Sequence, residues 1–136
     1  MDFSSSLIVA ASGMRAQSDR MRIIAENIAN ANSTSPVPGG DPYRRKIATM
    51  KSDFDRELNA TLVTSEKPVT DNSEFRLQYD PGNPNADSKG YVKLPNVDAL
   101  IEIMDMREAQ RSYEADLTVM DATKTMLSRT VDLLKK

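Results

Sequence analysis

Carboxylates are the residues of this chain best suited to chemistry, because it contains no histidine and no cysteine. Glu102, Asp105 and Glu108 recur at three-residue steps, which places several oxygen atoms on one side of a helix, where a hard cation could bind. A solvated helix face carries the same pattern, and no second carboxylate-rich helix offers further ligands. We therefore interpret these residues as a solvent-exposed face and predict no metal site.

Residues 80–88 are the other segment rich in oxygen ligands. Pro81 and Pro84 interrupt the alternation that a calcium loop needs, and no glutamate follows at the twelfth position. The absence of cysteine and histidine also excludes thiol nucleophiles, disulfides and the usual zinc ligands. We predict no catalytic residue, no cofactor and no enzymatic activity.

Composition indicates a single domain of 136 residues with little material for a large core. Hydrophobic residues make up 39% of the chain, but aromatics only 5%, and tryptophan is absent. A net charge of −2 provides no basic surface for nucleic acid. No apolar run approaches the roughly 18 residues of a membrane span, and the first residues do not resemble a cleaved secretory signal.

The carboxy-terminal segment, 96–136, has the repeat of a coiled-coil helix. Its apolar residues recur in steps of four and three and are separated mainly by polar ones, which predicts one narrow apolar seam along a long helix. Pro95 and Asn96 supply a helix start signal. The seam residues that we expect to form contacts are Ile103, Met106, Tyr113, Leu117, Met120, Leu127, Val131 and Leu134.

The amino-terminal segment, 1–32, shows the same rhythm and therefore predicts a partner helix. Gln17 interrupts its seam, and the serines at 4–6 offer N-cap oxygens. Gly13 indicates either simple tolerance in the helix or close approach of a neighbouring helix. The expected contact residues are Phe3, Leu7, Ala10, Met14, Met21, Ile24 and Ile28, and the helix should end near Asn27, Asn30 and Asn32.

Between the helices, residues 33–95 predict an irregular insert with a small β-hairpin. Residues 75–79 and 90–94 alternate apolar and polar side chains, as short strands do, and turn residues separate them. Segment 52–62 fits either a helix or an extended strand. The fold class is thus mainly α, with elongated terminal helices that form a coiled-coil pair around this insert.

A two-helix pair with an aromatic-poor insert buries too little apolar surface to be stable alone, so we expect the terminal helices to be poorly ordered in the monomer and to order on assembly. Two functional classes fit such seams: a structural subunit that assembles through its helices, and a soluble coiled-coil adaptor or chaperone that holds a helical client.

Several segments resemble those of bacterial flagellar rod and hook proteins, and the later ones resemble basal-body rod proteins in particular. They are residues 25–34 (AENIANANST), 43–46 (YRRK), 79–81 (YDP), 90–92 (GYV), 95–97 (PNV) and 111–115 (RSYEA). The resemblance covers nearly the whole chain. Asn83 and Asp116 depart from the pattern of the family, and we interpret both as changes that a turn or a surface tolerates.

The resemblance implies a structural subunit of the proximal rod, part of the flagellar drive shaft and export channel. Such proteins are exported by the flagellar type III apparatus without a cleaved signal and polymerise in the periplasm, so the basal body is the implied location. The implied partners are copies of the chain, other rod proteins, and adjacent ring and export-gate components. The seams of both helices then become the assembly interface.

Overall fold

The computed structural model describes residues 2–136, which form two long helices with an antiparallel strand insert between them. The elements are α1 (Phe3–Ala29), β1 (Lys46–Ile47), β2 (Met50–Asp55), β3 (Ala60–Ser65), β4 (Val69–Thr70), β5 (Arg76–Tyr79), β6 (Tyr91–Leu94) and α2 (Ala99–Leu134). The three strand pairs are β1–β4, β2–β3 and β5–β6. The predicted mainly helical architecture and the hairpin at 75–94 are confirmed.

An aspartate directly before the first residue caps each helix. The Asp2 carboxylate accepts the Ser5 N–H at 2.7 Å, and the Asp98 carboxylate accepts the Leu100 N–H at 3.0 Å. Each side chain thereby satisfies a backbone donor that the first helical turn leaves free. The prediction of a serine cap for the first helix was wrong, because Asp2 takes that role.

Residues 52–62, which fitted either helix or strand, form the β2–β3 hairpin. Phe54 pairs with Thr61 and Asp55 with Ala60, and Asn59 adopts a left-handed backbone conformation in the turn (φ 49°). Asparagine tolerates this region better than most residues. The helical spacing of Phe54, Leu58 and Leu62 is therefore coincidental.

The chain divides into two compact units, and both helices contribute to each of them. The first unit comprises the chain up to Met21, Thr49–Lys67 and Arg107–Lys136; the second comprises Arg22–Ala48 and Pro68–Met106. The second unit buries branched side chains, among them Ile23, Ile24, Val92 and Val97.

The buried residues of the first unit are all small: Ser5, Ala10, Ala16, Ala60, Ala109 and Thr123. A face of small side chains lets neighbouring backbones approach closely, but it removes little apolar area from water. The hydrophobic contribution to the stability of this unit is correspondingly low.

Within the first unit, α1 and α2 run antiparallel where they touch. A Cβ atom at Gly13 would lie 2.6 Å from Oδ2 of Asp116, and Arg20 pairs with Glu108 at 3.6 Å. Residues further along α1 therefore contact residues nearer the start of α2, as in an antiparallel pair. Gly13 marks close approach, the second of the two interpretations that the sequence left open.

Asp116 lies half-buried against Gly13, so this departure from the pattern of the family falls at a contact between the two helices. Desolvation raises the pKa of its carboxyl group above the ordinary value. Burial therefore disfavours the charged form of the side chain in the folded chain.

We expect Gly13→Ala to stabilise the chain only when Asp116 is shortened. Alanine has a helix propensity about 1 kcal/mol better than glycine, but its methyl group collides with the Asp116 carboxylate. The double variant G13A/D116A should unfold at higher urea than D116A, whereas G13A should gain nothing over the parent. An equal gain in both backgrounds, measured by circular dichroism, would show that the close approach is absent.

Candidate assembly interface

A buried polar junction in the second unit joins the end of α1, the segment before β1 and the start of α2. At its centre is Asn27, which is 1% exposed. Its Nδ2 donates to the Lys46 carbonyl oxygen at 2.8 Å and to Oε2 of Glu102 at 3.3 Å. Its Oδ1 accepts the Tyr43 hydroxyl at 2.7 Å and the Lys46 N–H at 2.9 Å. All four hydrogen-bonding positions of the amide are therefore filled.

Glu102 is the charged member of this junction and is fully buried. Its Oε1 accepts a hydrogen bond from Nε of Arg45, while the same guanidinium reaches Asp71 at 3.4 Å and Asp105 at 3.8 Å. Asn96 accepts the Arg45 backbone N–H at 2.8 Å. A buried carboxylate without such a partner would be strongly destabilising, so this pair constrains the position of Arg45.

The interpretation of Glu102, Asp105 and Glu108 as one solvated face was wrong. Glu102 is buried in the junction, Asp105 is half-buried beside Arg45, and only Glu108 is well exposed, with its side chain 68% accessible. Arg45 lies 57 residues before Glu102 and was missed by the sequence analysis. The feature of the sequence that could have indicated Arg45 is the cationic stretch Arg44–Lys46, within a segment that resembles the family.

The three predicted helix-end asparagines occupy different positions. Asn27 lies within α1, at the centre of the junction, and Asn30 donates to the Glu26 carbonyl oxygen at 2.8 Å just beyond the helix end. Ser33 donates its hydroxyl to Oδ1 of Asn30 at 3.2 Å. Asn32 is exposed.

The junction shifts the pKa of two of its groups. Desolvation raises the pKa of Tyr43 to about 12, with the nearby carboxylates of Glu26 and Glu102 acting in the same direction. The hydrogen bond to Glu102 raises the pKa of the Arg45 guanidinium. Tyr43 therefore remains a hydroxyl donor to Asn27 throughout the physiological range.

The predicted seam residues of the two helices differ in burial. On α1, Ala10 and Ile24 are buried, and Phe3, Leu7, Met14, Met21 and Ile28 are half-buried. On α2, Met106, Tyr113 and Met120 are half-buried, whereas the exposed ones are Ile103, Leu117, Leu127, Val131 and Leu134. The buried residues of α2 are not members of this seam: Glu102 directly precedes Ile103, Ala109 lies three residues after Met106, and Thr123 lies three residues after Met120.

The last turns of α2 have no cover within the chain. Every residue from Lys124 to Lys136 is exposed, and Leu133 and Leu134 are 70% and 82% accessible. Exposed apolar side chains in a contiguous array mark interaction surfaces. We call residues 124–134 the uncovered end of α2.

Neither helix of the described residues has the length and hydropathy that a bilayer crossing requires. Residues 2–136 also bring together no group of three acidic, histidine or cysteine side chains suited to a metal ion.

Comparison with known proteins shows the family. A model described as "Flagella basal body rod protein" matches residues 7–35, and one described as "Flagellar basal body rod FlgEFG protein C-terminal" matches residues 88–133. A flagellar basal-body rod protein FlgC of Agrobacterium fabrum is 51% identical over 127 residues, covering 93% of this chain and 91% of the relative. This chain belongs to the FlgC family of flagellar basal-body rod proteins.

More distant FlgC proteins match over a similar share of their length. Identity is 39% with that of Bacillus subtilis, over 96% of this chain and 97% of the relative. It is 38% with that of Salmonella typhimurium, over 92% of both chains. The family is structural and not enzymatic. As a member of it, this chain is a structural rod subunit of the flagellar basal body.

We expect Arg45→Met to destabilise the folded chain by about 3 kcal/mol, because it leaves the buried Glu102 carboxylate without its cation. Adding Glu102→Gln should recover most of the loss. The matched control is Arg44→Met, which removes a guanidinium 4.2 Å above the Phe75 ring and should cost about 1 kcal/mol. Equal losses for R45M and R44M in urea unfolding would show that the junction is not specific.

The raised pKa of Tyr43 predicts an alkaline loss of stability. A hydroxyl whose pKa rises on folding stabilises the folded state below its unfolded pKa near 10, and this contribution disappears as the pH passes about 12. Tyr43→Phe should cost about 1 kcal/mol at neutral pH. Its free energy of unfolding should also fall less steeply than that of the parent between pH 10 and 12. If the free energies of unfolding of the parent and of Y43F fell equally steeply over this range, the raised pKa of Tyr43 would be contradicted.

Proposed function

We propose that the chain is a subunit of the proximal rod, in which the apolar faces left exposed on α2 are covered by the helices of neighbouring subunits. The observation that supports this most strongly is the contrast within the first unit. Its buried residues are all small, while Leu117, Val119, Met126, Leu127, Val131, Leu133 and Leu134 of α2 are exposed. Burying one such side chain contributes about 1.5–3 kcal/mol.

In this proposal α1 and α2 form an antiparallel coiled-coil pair. The approach of Gly13 to Asp116 and the Arg20–Glu108 ion pair support this arrangement in the first unit. The two helices are continuous, so the predicted seams would extend along both. A coiled-coil pair of this kind leaves the outward faces of both helices available to neighbours.

Repetition of one contact between different faces builds an open helical assembly instead of a closed ring. The helices then form an inner tube that surrounds the export channel, and the insert, residues 33–95, lies outside the tube and makes lateral contacts. Copies of the chain and other rod proteins are the neighbours. Ring and export-gate components adjoin the assembly, which the chain reaches through the flagellar export apparatus.

The expectation that the terminal helices order on assembly applies best to the uncovered end of α2. The second unit has a buried junction with hydrogen bonds and ion pairs, whereas residues 124–134 have no buried residue. A helix segment without packing is only marginally stable in water. We propose that this segment becomes fully helical when a neighbour covers it.

We expect Val131→Asp to abolish swimming and to lower the amount of this chain in purified basal bodies by about tenfold or more. The substitution places a charge where a neighbour would bury an apolar side chain. The control is Ser128→Asp, which adds the same charge to the adjacent turn, outside the predicted seam, and should be tolerated. Normal swimming and normal rods with V131D would contradict the role of this face.

A further inference from the structure

The second flank of α2 carries an apolar stripe that is separate from the predicted seam. Its residues also recur in steps of four and three, and Arg129 is the one charged member: Ala115, Val119, Ala122, Met126, Arg129 and Leu133. All six are exposed, with Val119 at 52%, Met126 at 51% and Leu133 at 70%. This is the repeat of a helix-binding surface, and we call these residues the second stripe.

The same unit contains an open groove between α1 and β3. Its volume is about 500 Å³, and its apolar lining includes Ile8, Ala11, Ala16, Leu62 and Val63. The Ser12 hydroxyl oxygen accepts the Val63 N–H at 3.2 Å, which holds β3 against the helix. This hydrogen bond fixes the two walls of the groove, α1 and β3, to each other.

Each of the two surfaces also carries a charged side chain of opposite sign that has no ion pair within the part of the chain that the structure describes. Asp19 lines the groove and is half-buried, and no cation of the described residues forms an ion pair with it. Arg129 is exposed in the second stripe and likewise has no ion pair in residues 2–136. Arg15, the other charged residue of the groove, is exposed.

We propose that the second stripe of α2 from one copy occupies the α1–β3 groove of a second copy, with Arg129 paired to Asp19. An apolar helix face in an apolar groove is a recurring mode of recognition. Because stripe and groove are different surfaces of one chain, the contact is heterologous and can repeat along a filament. The inference rests on the proposed rod function and identifies one of its interfaces.

The absence of cysteine allows a direct test by crosslinking. Ala11→Cys in the groove and Val119→Cys in the stripe would be produced as separate full-length chains in the same cells. Oxidation of purified basal bodies should then yield a dimer that neither variant gives alone. Leu117→Cys is the matched control, since it is similarly exposed, two residues away, on the other flank of α2. We expect it to give at least about fivefold less dimer with A11C.

Assembled rods without an A11C–V119C dimer, or with equal dimer from A11C and L117C, would overturn the groove contact while leaving the rod function intact. If V119C prevents assembly, Ala122→Cys provides the same test from the same stripe.

Charge exchange provides an independent measurement. Asp19→Arg and Arg129→Asp should each lower incorporation into basal bodies about tenfold, and the two substitutions together should restore it. Arg56→Glu, at an exposed position between β2 and β3 of the same unit, is the control and should incorporate normally. No restoration in the double variant would overturn the Arg129–Asp19 pairing.

Discussion

A fully buried carboxylate, that of Glu102, is the constraint on which the second unit depends. Its charge is costly in the interior unless a cation and further donors are present. Arg45 and Asn27 supply these partners, and Asn27 in turn binds both the N–H and the carbonyl oxygen of Lys46. These contacts fix β1 and the residue before it to the end of α1 and to the start of α2.

The first unit follows a different principle. Its buried positions are occupied by alanine, serine and threonine, and Gly13 admits the Asp116 side chain directly against the α1 backbone. Such packing specifies close approach without removing much apolar surface from water. Several large apolar side chains of α2, among them Leu117, Val119 and Leu133, remain exposed, which suits a protein whose stable form is an assembly.

Local patterns in the sequence predicted the two helices and the β5–β6 hairpin, because periodicity and turn residues act over short distances. The β2–β3 hairpin could not be distinguished from a helix, since Phe54, Leu58 and Leu62 happen to have helical spacing. The Glu102–Arg45 pair joins residues 57 positions apart, so no local pattern indicates it. The second stripe gives a weaker pattern than the seam because two alanines and Arg129 alternate with its large apolar members, although Val119, Met126 and Leu133 repeat at seven-residue intervals.

The central claim is that residues 124–134 of α2 are only weakly held within one chain and become packed in the rod. Hydrogen exchange of the purified chain, compared with the same chain in isolated basal bodies, tests it most directly. We predict slow exchange at residues 102–106 in both samples, and a large increase in protection at 124–134 on assembly. Equal protection of 124–134 in the free chain and in basal bodies would contradict the account.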